Sequence, residues 1–130
     1  TQKEVAQRIC ARPPRMSILA VSVQFYAAAK IIARVKKTSF WPQPEVDSAI
    51  LQIVPTFEKP QTDSKKFFRV VRAGFKQPRK QLLNNLSIGL NLPRQRVEQW
   101  LIKNNIQPVQ RAQTLSIQDW INLTNSPCEN

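Results

Sequence analysis

An aromatic pair followed by two prolines is the feature of this sequence best suited to binding chemistry. Phe40 and Trp41 directly precede Pro42, and Pro44 follows two residues later, ahead of the apolar segment that begins at Val46. Each proline fixes its own φ and drives the preceding residue toward extended conformations, so the loop presents its side chains instead of continuing a helix. A flat apolar ring held in this way suits stacking on a nucleobase. The alternative is that both rings fill the edge of a core, since buried aromatic residues are common.

A second candidate is the basic box Lys76-Gln77-Pro78-Arg79-Lys80. Its cations can make charge-assisted hydrogen bonds to phosphate. Pro78 is predicted to be the first residue of a helix, whose N-terminal partial charge would strengthen such contacts.

The overall charge indicates a polyanionic partner. The chain has 20 Lys and Arg against 8 Asp and Glu, a net charge of +12, and residues 59–100 alone hold ten basic and two acidic side chains. A solvated helical surface is the alternative explanation, but such surfaces usually mix signs more evenly. No stretch approaches about 18 consecutive apolar residues, so nucleic acid is favoured over a membrane.

The composition excludes several kinds of catalytic site. The sequence has no histidine, which removes Ser-His and Cys-His nucleophilic pairs and imidazole metal ligands, so we predict no metal site. Two cysteines, Cys10 and Cys128, do not make a disulfide framework, and no signal-peptide pattern opens the sequence. We therefore predict a cytoplasmic protein.

Two helices and two strands are predicted in the first part of the chain. The helices cover residues 2–11 and about 17–27, and the strands cover 30–36 and 46–54. Both faces of the second strand are apolar, which predicts that it is central in a sheet or covered on both sides. Two strands alone do not make a stable sheet, so residues 1–58 are predicted to belong to a larger α/β sheet.

Four short helices are predicted in the second part. Asp63, or the residue before it, caps the first, Pro78 begins the second, and residues 94–104 form the third. Ser116-x-x-Asp119 has the form of a capping box that opens the fourth.

Apolar stripes on these helices carry Trp100 and Trp120, which are therefore predicted core residues. The pattern predicts a small helical bundle over residues 59–130, with residues 55–64 as the linker that precedes it.

Five stretches resemble the motifs of one enzyme family, in the family's order. Residues 40–48 read F-W-P-Q-P-E-V-D-S, and around them lie Q-K-E-V-A-Q-R at 2–8, L-A-V-S-V-Q-F-Y at 19–26, F-K-Q-P-R-K-Q-L-L-N-N-L at 75–86 and R-A-Q-T-L-S at 111–116. Together they resemble the ribosomal RNA adenine dimethyltransferases, which use S-adenosylmethionine to dimethylate two adjacent adenines near the 3′ end of small-subunit (16S) ribosomal RNA. The resemblance covers nearly the whole chain. It departs at Pro78, where the family has an arginine, and at residues 13–19, where many members carry a K-x-Y-G-like turn.

The resemblance implies roles for the residues of both candidate sites. Phe40 would stack on the target adenine, with Pro42 and Pro44 supporting the loop and Trp41 supporting the ring. Asp47 and Ser48 are also motif positions, and for them hydrogen bonding of the loop to the start of the strand is favoured over a part in methyl transfer. RNA would be bound by a set of basic side chains, namely Lys36, Lys37, Lys76, Arg79 and Lys80.

The resemblance also implies an architecture. Residues 1–58 would be the last helices and strands of a Rossmann-like methyltransferase sheet, and residues 59–130 a helical RNA-docking domain. S-adenosylmethionine would be the cofactor, but the family's glycine-rich cofactor motif and its N-x-P-Y catalytic motif are absent from this sequence. Its two glycines, Gly74 and Gly89, fall in predicted helices.

We therefore expect the chain to be the C-terminal portion of such an enzyme, a monomer that binds small-subunit ribosomal RNA but does not catalyse by itself. The alternative is a stand-alone nucleic-acid-binding module without enzymatic activity, in which residues 78–89 and 94–104 form a helix-turn-helix.

Overall fold

The structure is a computed structural model that describes residues 1–55 and 62–128. In chain order its elements are α1 (Lys3–Ile9), α2 (Ile18–Tyr26), β1 (Ala27–Val35), β2 (Ser48–Pro55), α3 (Ser64–Phe75), α4 (Leu82–Leu90), α5 (Arg94–Lys103) and α6 (Ile117–Asn125). Short 3-10 turns occupy Lys37–Ser39 and Ala112–Thr114. Each of these helices and strands corresponds to a predicted one. The largest shifts in a starting residue are at β1, which begins three residues early, and at α4, which begins four residues late.

The described residues divide into two compact units. The first takes residues 1–11 and 19–55, and the second takes residues 12–18 and 62–128. The predicted boundary between residues 58 and 59 lies outside the described residues, as does most of the predicted linker. Residues 12–18 join the second unit because Met16 is buried there and its N–H donates to the carbonyl of Gln113 at 3.0 Å.

The first unit contains a two-stranded antiparallel sheet. β1 and β2 pair from Ala27 opposite Pro55 to Val35 opposite Ser48, with an irregularity between Ile31 and Ala33. α1 and α2 are tied by the side-chain amide of Gln24, whose Nε2 donates to the carbonyls of Ile9 and Ala11 at 2.9 and 2.8 Å.

The prediction that β2 is covered on both sides is wrong for the described part of the chain. Ile50 and Ile53 are 53% and 51% exposed, and Val54 is also exposed. Pairing with β1 occupies an edge of β2 and does not cover the faces of the strand, so these apolar side chains stay in contact with solvent.

The second unit buries the side chains of α3 to α6 in one core. Trp120 is fully buried and packs beside Phe75, with ring centroids 5.5 Å apart, and Trp100 is also buried. Both tryptophans are therefore core residues, as predicted. The Asp63 carboxylate accepts from the N–H groups of Lys65 and Lys66 and so caps α3.

The predicted capping box at the start of α6 is present. The Ser116 hydroxyl accepts from the N–H of Asp119 at 3.2 Å, and the Asp119 carboxylate accepts from the N–H of Ser116 at 3.0 Å. This reciprocal pair fixes where the last helix begins.

Candidate nucleic-acid interface

The β1–β2 loop carries the aromatic pair on its exposed side. Every residue from Lys36 to Gln43 is exposed, and the 3-10 turn Lys37–Ser39 leads directly into the pair. Phe40 is 43% exposed and Trp41 is 97% exposed. The hypothesis that both rings fill a core edge is therefore wrong within the described residues, because Trp41 contacts almost nothing.

Two prolines shape the backbone next to these rings. Phe40 is extended, with φ −111° and ψ 150°. The peptide bond between Trp41 and Pro42 is cis, and Pro44 is half-buried while Pro42 is exposed. Since proline fixes φ and restricts its predecessor, the segment from Phe40 to Pro44 has few alternative conformations.

Asp47 ties the two ends of this loop together. Its carboxylate Oδ1 accepts from the N–H of Lys37 at 2.8 Å, while its backbone carbonyl accepts from the N–H of Lys3 at 2.9 Å. The N–H of Ala49 donates to the carbonyl of Thr1 at 2.8 Å, and Gln2 forms an isolated antiparallel bridge with Ser48. The predicted loop-to-strand bonding by Asp47 is thus present, and it also fastens the loop to the start of α1.

The basic box forms the connection between α3 and α4, not the start of a helix. α3 ends at Phe75, Lys76 is its C-cap, and α4 begins at Leu82 with Gln81 as its N-cap. The prediction that Pro78 is a first helical residue is therefore wrong.

The cause of this shift is a set of long-range hydrogen bonds at the start of α4. The N–H of Leu82 donates to the carbonyl of Gln110 at 2.7 Å, and the N–H of Leu83 donates to the carbonyl of Pro108 at 3.3 Å. At a free helix N-terminus these N–H groups could donate to an anion, but here they already donate to the two carbonyls. Phosphate contacts at the box must therefore come from its side chains.

Asn85 holds the box in shape. This side chain is buried, and its Nδ2 donates to the carbonyls of Gly74 and Gln77, both at 2.9 Å. Sequence reasoning missed Asn85, although a polar residue between Leu82 and Leu86 on an apolar stripe was an available signal.

Lys76, Gln77 and Lys80 of the box line one side of a small cavity. Lys76, Arg79 and Lys80 are all exposed, and a cavity of about 230 Å³ is lined by Lys76, Gln77, Lys80, Asn84, Asn85, Ile88 and Gly89. The predicted RNA-binding cations thus fall into two groups. Lys36 and Lys37 are exposed in the first unit, whereas Lys76, Arg79 and Lys80 belong to the second.

A larger cavity of about 410 Å³ lies between α5 and the residues that follow α6. Its lining includes Arg96, Trp100, Lys103 and Cys128. Burial raises the pKa of the Cys128 thiol, and the positive charge of Arg96 acts in the opposite direction. Among residues 1–55 and 62–128, no group of three or more Cys, Asp or Glu side chains is placed to hold a metal ion. No helix in that part of the chain is long and apolar enough to cross a membrane.

Comparison with known proteins gives a consistent set of relatives. A family described as "Ribosomal RNA adenine dimethylase" matches residues 1–127. The chain is 41% identical over 133 residues to ribosomal RNA small subunit methyltransferase A of Dehalococcoides mccartyi, covering 98% of this chain and 46% of that protein. It is 40% identical over 134 residues to the methyltransferase of the same name from Geobacillus kaustophilus, covering 96% of this chain and 45% of that protein. The chain thus spans about half the length of these relatives.

Two solved structures share the fold. A dimethyladenosine transferase from Plasmodium falciparum superposes with a TM-score of 0.72 at 23% identity, covering 95% of this chain and 54% of that chain. The 23S rRNA methyltransferase ErmE superposes with a TM-score of 0.74 at 23% identity, covering 97% of this chain and 52% of that chain.

Proposed function

The chain belongs to the ribosomal RNA adenine dimethylase family, and from that membership we propose that it is part of an enzyme that dimethylates adenines of small-subunit ribosomal RNA. The relatives at about 40% identity are named as small-subunit methyltransferases, which favours that subunit over the large one. In this proposal residues 1–58 complete the substrate side of the catalytic sheet, and residues 59–130 dock RNA. The protein acts as a monomer in the cytoplasm.

The observation that carries the proposal is the half-exposed ring of Phe40 on a restrained loop. Prolines follow it at positions 42 and 44, and Asp47 closes the loop behind it through Lys37. Because the backbone that carries the ring has few alternative conformations, little backbone freedom is lost when a base stacks on it. Phe40 therefore stacks on the target adenine after the base has turned out of its surroundings, and Pro42 and Pro44 support the loop.

In the proposed methyl transfer, this chain orients the target adenine and is not required to transfer a proton. The exocyclic amine of adenine is a weak nucleophile because its lone pair is delocalised into the ring. A ring stacked on Phe40 fixes the plane of the base and so the direction of that amine, which contributes to rate through positioning. The absence of histidine from the sequence is compatible with this role.

The methyl donor in this proposal is S-adenosylmethionine, which when bound supplies an electrophilic methyl group. The glycines of this chain do not suit its binding. Gly74 and Gly89 lie inside α3 and α4, and a Cβ would come within 2.5 Å of Trp120 at the first and 2.7 Å of Ala73 at the second. They serve close packing, not a cofactor-binding turn, so we assign cofactor contacts to residues of the enzyme other than these 130.

RNA docking is assigned to exposed cations in both units. Lys76, Arg79 and Lys80 contact phosphates through their side chains, and Lys36 and Lys37 do so beside the aromatic pair. Such contacts position RNA without reading its sequence.

Replacing Phe40 in the full-length enzyme that contains this chain tests the catalytic assignment. Phe40→Ala is expected to abolish adenine dimethylation, while the affinity for the ribosomal subunit falls by at most the contribution of one stacked base because the cations remain. Phe40→Tyr is the matched control, since it keeps the ring and should keep most of the activity. Full methylation by Phe40→Ala would remove the assignment.

The RNA-docking assignment is tested with the chain alone. Binding to a small-subunit ribosomal RNA hairpin and to duplex DNA is measured over a range of salt concentrations. Tighter binding to the hairpin supports the proposal. Equal or tighter binding to the duplex would instead support a stand-alone helix-turn-helix module built from α4 and α5.

A further inference from the structure

Trp41 is the most exposed large apolar side chain among the described residues. It is 97% exposed, against 43% for Phe40 beside it. A tryptophan that contributes nothing to a core is a large apolar surface left in water. Single exposed apolar residues are common, so exposure alone does not make this residue a binding site.

The backbone around Trp41 adds a second observation. The ring stands between an extended Phe40 and Pro42, in a loop whose two ends are joined by the bond from the Lys37 N–H to the Asp47 carboxylate. The exposed indole is therefore carried on a restrained segment. Presentation of a ring on such a segment lowers the entropy lost when a ligand stacks on it.

The charges around the ring indicate what the ligand is. Lys36 and Lys37 are exposed four to five residues before Trp41. Glu45 is exposed four residues after Trp41, and the Asp47 carboxylate accepts from the backbone N–H of Lys37. A flat ring in a loop that also carries two exposed lysines fits a ligand that has both a π-face and a phosphate, which is an unpaired nucleotide.

Bases that stack on two neighbouring side chains of the loop must be free of base pairing. Single-stranded RNA meets this condition, because its unstacked bases can be splayed apart.

We propose that Trp41 is a second stacking site, which binds the unpaired base next to the one that stacks on Phe40. This inference rests on the proposed function for the identity of the RNA. It assigns Trp41 a ligand, in place of the supporting role predicted from the sequence.

The test measures affinity of the chain for an RNA hairpin whose loop contains two adjacent adenines. Trp41→Ala is expected to weaken binding on the order of 5- to 150-fold, the loss of one stacked base. Trp41→Phe should retain most of the affinity. Val109→Ala, which truncates another exposed apolar side chain, is the matched control and should bind as the unaltered chain does.

A second RNA makes the test specific to one base. When one of the two adenines is replaced by an abasic nucleotide, the penalty of Trp41→Ala should disappear for one of the two replacements. The dependence of affinity on salt should be the same for the unaltered chain and for Trp41→Ala, because no charge is removed. Thermal unfolding of the variant should be unchanged, since the ring contacts almost nothing.

Several results would overturn the inference. Unchanged hairpin affinity in Trp41→Ala, while the unaltered chain binds, would remove Trp41 as a stacking site and leave the proposed function standing. A penalty that persists with both abasic RNAs would also remove it. Two other outcomes would assign the ring a different partner. In the first, Trp41→Ala weakens only binding to anionic phospholipid vesicles, and in the second it weakens only self-association measured by sedimentation. Failure of the unaltered chain to bind the hairpin would overturn this inference together with the RNA-docking part of the proposed function.

Discussion

Phe40 and Trp41 are adjacent in the sequence, but the structure gives them different surroundings. The prolines that follow predicted a loop that displays both rings, and both are exposed. Which ring is partly covered could not be predicted, because that depends on how the loop folds back on its own unit. The stacking roles of both residues remain proposals, whereas their exposure is observed.

Asp47 is a second residue of this loop whose role can be tested singly. Its Oδ1 accepts the hydrogen bond that joins the two ends of the loop. Asp47→Ala removes the acceptor for the Lys37 N–H, so the amide of Lys37 should exchange with solvent faster in hydrogen-exchange NMR. The expected cost to stability is small, about 1 kcal/mol, because the bond is exposed. In the full-length enzyme, methylation should fall, because a displaced Phe40 no longer orients the adenine.

Asp47→Asn is the matched variant for that experiment. It keeps an oxygen at the same position and should preserve most of the protection of Lys37. Equal exchange rates for Lys37 in Asp47→Ala and in the unaltered chain would contradict the role of this bond.

The connection between α3 and α4 shows how an element boundary is decided. Pro78 suits the first turn of a helix by its own chemistry, and local sequence therefore favoured a start there. The structure starts α4 at Leu82 because carbonyls of residues 108 and 110 bond to its first N–H groups. A partner about 25 residues away in sequence thus outweighs a local preference.

Asn85 offers a direct test of this connection, because its side chain bonds to the carbonyls of Gly74 and Gln77. Asn85→Ala leaves the carbonyls of Gly74, which is buried, and of Gln77 without their donor and should cost about 2–3 kcal/mol in urea unfolding. Asn85→Leu should not recover this loss, since it fills space without supplying a donor. Asn122→Ala, on the exposed side of α6, is the control and should lie within about 0.5 kcal/mol of the unaltered chain.

A stable Asn85→Leu variant would contradict this account, because it would show that side-chain volume, not hydrogen bonding, matters at position 85.

β2 shows the same limit of sequence reasoning in a strand. Its apolar residues on both faces correctly predicted a strand, and its pairing with β1 agrees with that prediction. Coverage of both faces was not found, because burial depends on what lies over a strand and not on the strand's own pattern.

At the scale of the whole molecule, the net charge of +12 is concentrated where RNA docking is proposed. Replacement of Lys76, Arg79 and Lys80 by Gln should weaken RNA binding and lower the slope of log affinity against log salt by about 2. The reason is that the variant contacts fewer phosphates and therefore releases fewer counterions from the RNA when it binds. Fluorescence anisotropy of a labelled RNA hairpin over several salt concentrations measures both quantities.

The matched control removes the same charge elsewhere. Arg8, Arg12 and Lys103 are exposed cations outside the proposed RNA-docking set, and their replacement by Gln should change the slope less. Equal slopes for the two triple variants would show that total charge, not the basic box, determines the affinity.

The sequence by itself determined the family, the order and type of the helices and strands, the capping box at Ser116, and the concentration of positive charge, and it narrowed the cap of α3 to two neighbouring residues. These features depend on residue type and short spacing, which act within a few residues along the chain. Only the tertiary structure decided that Trp41 is almost fully exposed, that α4 begins at Leu82, and that residues 12–18 belong with the second unit. The last two outcomes depend on contacts between residues far apart in the chain, whose free energies outweigh local preference. The exposure of Trp41 reflects the lack of such contacts, which no local pattern shows.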